Sequence, residues 1–394
     1  MQEFYDVYTS DYKYIARRKQ REVMTKFEAL GHNEGFMYDF TSDVIRDSDK
    51  FTSSYAQGVQ SKLSFTVYNK DNKYTINDES IFWYGNKIKY YKGLRDPVTK
   101  NIYWFTMGVF IVCDVSAKET EISVDCVDKF GLFTSDCGYG RYDAITKIEA
   151  GTAIGQLITD LLLTDMGNGK VLDSTPPIID DSVKNDELIQ DFEGSCDGYI
   201  GEFLTEIATT MKCRIYYNNT GHLYMCRGIS ENEYAYKAPT WEFDKDKSAE
   251  YLEASAKYDF ANVINRITVW GEDANGEIYT YTAENRNPKS PTRISRIGIK
   301  SGKTIENLLG YDQKNVESFA KYYLRIKTVQ GISVPLDCML LPHIKVEDVV
   351  YITDTNYGFN QMKMLVNEIN IQGNTMSLGL VNIDSLPFYE ELQD

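Results

Sequence analysis

Three histidines and seven cysteines are the side chains best able to do chemistry in this sequence. Cys213, His222 and Cys226 fall on one predicted hairpin, so a shared metal is conceivable. Zinc sites normally show tight paired spacings. There is no HExxH and no CxxC pair, so two core thiols on neighbouring strands is the expected reading. His32, His222 and His343 stand far apart in the sequence. A Cys–His nucleophile needs a thiolate beside an imidazole. Cys196 with any of the three histidines would be the candidate, and no spacing supports it. There is no GxSxG. The stretch from Gly194 to Gly198 precedes a predicted helix but lacks the Lys-Ser/Thr ending of a phosphate loop. Among 58 acidic residues, carboxylate pairs for glycoside hydrolysis are always available, so abundance is no signal. The sequence assigns no catalytic, cofactor-binding or metal-ligating residue, and no cofactor.

The remaining composition bounds the class. A chain of 394 residues suggests about two to four domains, and 42% hydrophobic content is that of a globular protein. Thirty tyrosines fit strand faces that are apolar at the base and wet at the tip, or a surface rich in protein or sugar contacts. The net charge of −16 argues against gripping nucleic acid, which needs clustered Lys and Arg. No apolar run reaches the length of a membrane span, and the start has no signal-peptide core. The expected product is therefore made and kept in the cytoplasm, or leaves by another route. The cysteines, Cys113, Cys126, Cys137, Cys196, Cys213, Cys226 and Cys338, are expected to be mostly buried thiols in a reducing compartment.

The elements follow from periodicity. Residues 21–30 alternate as a strand, with a helix continuing from Tyr12 as the competitor. Leu63, Phe65 and Val67 mark a second strand, residues 85–91 a third, and 121–127 another. Residues 102–113 are a long apolar run with Gly108 inside it, which predicts a bulge or kink. The character changes near 145. Ile154, Leu157, Ile158, Leu161 and Leu162 stand at helical spacing, with Thr152 as expected N-cap. A second amphipathic helix is predicted over 197–211, then a hairpin over 213–226. Val263, Ile267 and Val269, a polar turn at 273–276, and Ile278, Tyr279 and Tyr281 predict another hairpin. Pro288 and Pro291 then forbid regular helix or central strand. Val316, Phe319, Ala320, Tyr323 and Leu324 share a helical face, and residues 332–383 return to strands.

The ordered set carries a resemblance. An aromatic strand from Trp104 to Val112 is followed by an acidic strand pair from Glu119 to Asp128. Helix, hairpin, the strand from Ala261 to Gly271, the segment from Asn287 to Pro291, and the stretch from Leu340 to Ile352 follow. This order resembles the baseplate hub proteins of tailed phages, including the N-terminal portion of tail-associated lysins, over nearly the whole chain. The resemblance implies a predominantly β, α+β fold of two tube-like β-barrel or sandwich domains. An α/β domain and a small helix-bearing segment are inserted. Mapped onto this sequence, residues 1–140 would be the first tube-like domain and 145–250 the α/β insertion. Residues 255–284 with 330–385 would be the second tube-like domain, interrupted by 285–329. The strand at 263–270 should then pair with strands of 346–383.

The same resemblance implies a structural, non-enzymatic homotrimer whose two tube domains per subunit make a pseudo-sixfold ring. Expected partners are the tail tube or distal tail ring, a spike, fibre or lysin protein at the tip, and the tape measure protein. DNA would pass without specific binding through an acidic channel. The expected location is the virion tail tip, assembled in the host cytoplasm, with a role in host attachment. The wall-degrading extension of many such relatives would begin beyond Asp394, so that activity is not expected here. The alternatives are a glycan-binding or glycan-cleaving β protein, and the hub of a phage-derived contractile injection device, because fold does not fix function.

Overall fold

The computed structural model describes residues 2–55, 58–77, 79–83, 85–137, 146–164, 171–188, 191–194, 198–227, 236–255, 257–258, 263–273, 275–307, 312–329 and 332–382. The fold is α+β and predominantly β. The N-terminal strands are β1 (Glu3–Tyr5), β2 (Glu22–Leu30), β3 (Phe36–Asp39), β4 (Lys50–Ser54), β5 (Ser61–Tyr68), β6 (Lys87–Arg95), β7 (Ile102–Ala117) and β8 (Glu121–Asp128). A short helix, α1 (Ser10–Ala16), lies between β1 and β2, with the Thr9 side chain accepting from the Tyr12 N–H. The helix stops there, and the 21–30 segment is strand.

Alternation explains β5 and β8: Leu63, Phe65 and Val67, and Ile122, Val124 and Cys126, all enter the main core. The β7 run is apolar on both faces because both faces are covered. Tyr103, Phe105 and Met107 point into the main core. Trp104 packs with Tyr91 on the other face, and Ile111 joins a second core with residues of 127–225. The expected irregularity at Gly108 is present. Tyr90 pairs with Gly108 and Tyr91 with Thr106, leaving Met107 as the extra residue. The bulge switches the inward phase from 103, 105 and 107 to Phe110 and Val112. A Cβ on Gly108 would lie 2.6 Å from the Phe110 ring, so the site needs glycine.

Between β8 and the next strand of the large sheet lie β9 (Thr146–Ile148), α2 (Ile154–Leu162), β10 (Ile178–Ile179), α3 (Asp181–Lys184), β11 (Phe192–Gly194), α4 (Ile200–Thr210), β12 (Cys213–Tyr217) and β13 (Leu223–Arg227), none of them in that sheet; they are called the inserted unit for this place in the chain. The apolar faces of α2 and α4 close over β10–β13–β12. Thr152 is not the N-cap of α2. Ala153 holds that position without a side-chain bond, and the Thr152 hydroxyl donates back to the Glu149 carbonyl. A cap hydroxyl can serve the loop before a helix as well as its first turn. Gly167 and Gly169, which the sequence offers as a stop for this helix, lie outside the described residues.

The C-terminal half supplies β14 (Trp241–Asp244), β15 (Tyr251–Ala254), β16 (Lys257–Tyr258), β17 (Arg266–Glu272), β18 (Ile278–Glu284), α5 (Ile294–Ile297), β19 (Ile305–Glu306), α6 (Gln313–Val329), β20 (Ile332–Met339), β21 (Val349–Asp354), β22 (Phe359–Gln372) and β23 (Thr375–Asn382). Strand β22 pairs antiparallel with β4, from Glu368 opposite Ser54 to Gln372 opposite Lys50. That ladder merges both halves into one 15-stranded sheet with the path β15-β20-β23-β22-β4-β5-β8-β7-β6-β2-β3. A single apolar core runs from Tyr12 through Phe65 to Leu380.

Two sequence expectations are corrected. The hairpin β17–β18 does not pair with the strands of 346–383; it forms a separate three-stranded sheet with β19. Its inner residues, Ile267, Val269 and Ala283, are buried by Val316, Phe319, Ala320 and Leu324 of α6. A lone hairpin is marginal in water, and the nearest apolar helix face covers it. Residues 266–284 therefore belong with the helix-bearing segment and not with 330–385. The strands that do join the C-terminal sheet come from before the hairpin. Strand β14 pairs with β21 and β15 with β20, so 241–250 leaves the inserted domain to which it was assigned, and 251–254, between the two assignments, joins the same sheet. The loop that carries Pro288 and Pro291 packs back on the hairpin. Asn285 donates to Ser290 and Thr292, and Asn265 donates to the Thr292 and Gly298 carbonyls, folding the 288–298 loop back.

Candidate functional site

The residues singled out for chemistry are dispersed. Register places Cys213 opposite Arg227 and Cys226 opposite Arg214. The two thiols are thus on opposite faces of β12–β13 and cannot share one ion with His222. The His222 ring faces the Pro176 carbonyl at 2.9 Å, and His32 faces the Val171 carbonyl at 3.2 Å. Cys196 lies outside the described residues. Among the described residues no group of three or more His, Cys, Asp or Glu is arranged to hold a metal.

His343 is buried where α1 meets the C-terminal half. The Tyr12 hydroxyl lies 2.6 Å from its Nδ1, Tyr8 stacks on it, and Trp241 meets it edge-on. Burial, reinforced by Lys13 and Arg21, pushes its basicity down to about 3. The imidazole is therefore neutral, and Tyr12, whose own ionisation burial suppresses, is the donor. Stability from this group is fully present above the unfolded value near 6.5 and is lost as pH falls toward 3. Between pH 7.5 and 5, the native protein should lose about 2 kcal/mol that His343→Gln retains. Denaturant titrations at both pH values measure this; parallel profiles for the two proteins would exclude it.

The tyrosines have a use that the sequence did not disclose. Several hydroxyls donate to buried or half-buried carboxylates: Tyr90 to Asp49 at 2.6 Å, Tyr217 to Asp173 at 2.6 Å, and Tyr251 to Asp354 at 2.5 Å. Tyr91 to Glu28 at 3.0 Å and Tyr74 to Asp43 at 2.5 Å repeat the arrangement. Burial pushes each of these phenols up, which keeps them neutral donors. An acidic chain thereby keeps interior carboxylates satisfied.

Buried cations mark the junctions between units. Lys129, wholly inaccessible, reaches Asp173 at 2.8 Å, the Gly221 carbonyl at 2.8 Å and Thr175 at 3.0 Å, and also pairs with Glu34. This cluster joins the β2–β3 loop, the end of β8 and the inserted unit. Arg214 on β12 pairs with Glu347 and donates to Gln60 at 2.7 Å. Its guanidinium lies 4.1 Å and 4.4 Å from the ring centres of Tyr55 and Tyr216. Lys92 on β6 bonds Asp49 at 2.7 Å, Thr25 at 2.9 Å and the Gly373 carbonyl at 3.1 Å. Each cluster ties segments remote in sequence, and none has the geometry of a nucleophile beside a base. What these groups do chemically is hold strands and units in register.

The surface carries an open apolar edge. Strand β3 ends the large sheet, and Phe36, Met37 and Tyr38 on it are all exposed. No helix among the described residues is long and apolar enough to cross a membrane.

No protein-family model and no curated protein matches this sequence. Solved structures do match it. A tail protein from Neisseria meningitidis superposes with a TM-score of 0.58 at 10% identity, over 92% of this chain and 99% of that one. The 43 kDa tail protein of a Shewanella oneidensis prophage gives 0.59 at 13%, over 93% of this chain and 100% of that one. A prophage tail protein from Listeria monocytogenes gives 0.51 at 13%, over 90% and 94%. A chain of the Francisella PdpA–VgrG complex gives 0.54 at 10%, over 98% of this chain but 56% of that one. The chain shares the fold of these bacterial and prophage tail proteins, in line with the resemblance to baseplate hubs.

Proposed function

We propose that this protein is a structural hub of a phage tail tip or baseplate. The observation that carries the reading is end-to-end likeness: three tail proteins share the fold over nine-tenths or more of both chains. In this reading the protein is a homotrimer. The N-terminal strands and the strands of 241–254 with 332–382 act as the two ring-forming units of each subunit, giving a pseudo-sixfold ring. That ring adapts the sixfold tail tube or distal tail ring to threefold spike, fibre or lysin components, and the tape measure protein and DNA pass through it. The net charge of −16 favours a channel that repels phosphate. The open edge of β3, with its exposed aromatics, suits contact with a neighbouring subunit, since unpaired edges invite strand pairing. No catalytic role is assigned, and the virion tail tip is the location.

A second reading has its own support. The fold is shared with a chain of the PdpA–VgrG complex, which supports, as the alternative, a hub in a phage-derived contractile injection device. The test of the common core is oligomeric state. Light scattering of the purified protein, alone and with the tail-tube protein, should give a trimer that Phe36→Lys weakens. The trimer should pass a double-stranded DNA column at low salt. A stable monomer under both conditions, or tight retention on DNA, would overturn the proposal.

A further inference from the structure

Strand β7 carries a second irregularity besides the one at Gly108. Val112 pairs with Cys126 and Asp114 with Asp125, so Cys113 is an extra residue on the bulged strand. Bulges re-aim a side chain out of the ladder. The Cys113 sulfur is aimed at that of Cys137, 24 positions later, and the two lie 2.7 Å apart. That is inside ordinary sulfur contact and close to bonding range. Cys137 is held in place. It packs in the core of the inserted unit with Phe130 and Phe133, and a Cβ on Gly131 would come 3.2 Å from its sulfur. Cys113 is only partly buried, which leaves it reachable from solvent. Their ionisation is unequal: the hydrogen bond from Cys137 lowers Cys113, and the same bond with burial raises Cys137. Cys113 is thus the attacking thiolate of the pair.

We propose that Cys113 and Cys137 are a redox clip, closing to a disulfide when the protein meets a low-molecular-weight disulfide such as oxidised glutathione. The Cys113 thiolate attacks one glutathione sulfur, forming a mixed disulfide and releasing a first glutathione thiolate. The Cys137 thiolate then attacks the Cys113 sulfur, forming the protein S–S bond and releasing the second. The two cysteines lose two protons and two electrons; the electrons reduce one glutathione disulfide to two thiols, which take up the protons. The clip would fasten the bulge of β7 to the segment that leads out of β8, where the first unit meets the inserted one. A cross-link there restrains the unfolded chain through the loop it closes. The inference stands on this geometry and not on the assembly role.

The test uses the full-length protein incubated with oxidised glutathione near pH 8, followed by denaturation, thiol titration, intact mass and peptide mapping. Two of the seven thiols should disappear. The mass should fall by about 2 Da, and a peptide joining 113 to 137 should appear, reversed by dithiothreitol. The melting temperature should rise by roughly 2–8 °C. Cys113→Ser and Cys137→Ser should each abolish the linked peptide and the thermal shift. The map on the unaltered protein stands even if a variant folds poorly. Seven titratable thiols after oxidation, glutathione retained on Cys113 without ring closure, or linkage to a different cysteine would each overturn the clip.

Discussion

Replacing Lys129 with alanine should lower the free energy of unfolding by about 3–5 kcal/mol, the range for removing one partner of a buried ion pair. The ammonium has no exposed surface and is enclosed by Asp173, Glu34, Thr175 and the Gly221 carbonyl. Removing it leaves Asp173 buried with two neutral donors, the Tyr217 hydroxyl at 2.6 Å and the Thr175 N–H at 3.0 Å, and sets it near Glu34 without the cation between them. A neutral side chain cannot repair this, because the loss is dominated by stranded negative charge rather than by missing methylenes. The double replacement Lys129→Met with Asp173→Leu should recover part of the deficit, since it removes both charges. Equilibrium denaturation of the single and double variants measures the difference. A loss under 1 kcal/mol for Lys129→Ala would show that solvent or a rearranged Lys87 fills the site. Lys87 is the nearby cation to watch, with its ammonium 3.7 Å from Glu34.

Arg214→Ala should have a comparable energetic cost, about 3–5 kcal/mol, but a different spatial signature. Arg214 belongs to the inserted unit, while Gln60 and Tyr55 belong to the connection between the N-terminal strands β4 and β5, and Glu347 to the C-terminal half. One guanidinium therefore fastens three parts of the chain. Its planar fork and stacking face suit this work, and lysine would replace neither. Loss of the fastening should appear as local opening rather than a uniform drop. Amide exchange in Cys213–Tyr217 and Leu223–Arg227 should accelerate by roughly 100- to 1,000-fold, while the strands Ser61–Tyr68 and Glu121–Asp128 change far less. An equal acceleration across all strands would mean that the units unfold together and that Arg214 is not a local fastening. Lys129 is held by Asp173, Glu34 and Thr175, and Arg214 by Glu347 and Gln60, so the two effects should add within a few tenths of a kcal/mol.

Both clusters were invisible in the sequence. Lys129 reads as an ordinary polar residue after an acidic strand, and Arg214 as the polar position of a short hairpin. Nothing nearby announces that the first will meet Asp173 and the second Glu347. The tyrosine count was visible, but its meaning was not. Both readings of those rings put weight on the surface, whereas Tyr90 and Tyr217 are buried with their hydroxyls on aspartates. Burial of a hydroxyl depends on finding an acceptor, and acceptors far away in sequence leave no pattern.

Strand identity was legible wherever one face is buried. Leu63, Phe65 and Val67 gave a period of two, and the structure buries those three. Irregularities were legible only where glycine marked them. The bulge near Gly108 was expected; those at Cys113 and Asn367 were not. Along β22 the inward set passes from Met364 and Val366 to Ile369 and Ile371. The extra residue falls where Val366 pairs with Leu380 and Glu368 with Gly379. An asparagine can take a bulge without leaving a compositional trace.

The hairpin of 266–284 separates the two kinds of information. Its strands and its Asp273–Gly276 turn were determined by the sequence alone. Alternating branched residues and a glycine at positive φ are local requirements, met within a few bonds. Its companions were decided by tertiary structure. Ile267, Val269 and Ala283 needed an apolar cover, and the helix Gln313–Val329 and the strands of 332–382 both offered one. Burial is non-directional and roughly proportional to area, so apolar faces of similar size are interchangeable in sequence. The choice fell to which surfaces remained free. Strands Trp241–Asp244 and Tyr251–Ala254 occupy the C-terminal sheet, leaving the hairpin to the helix.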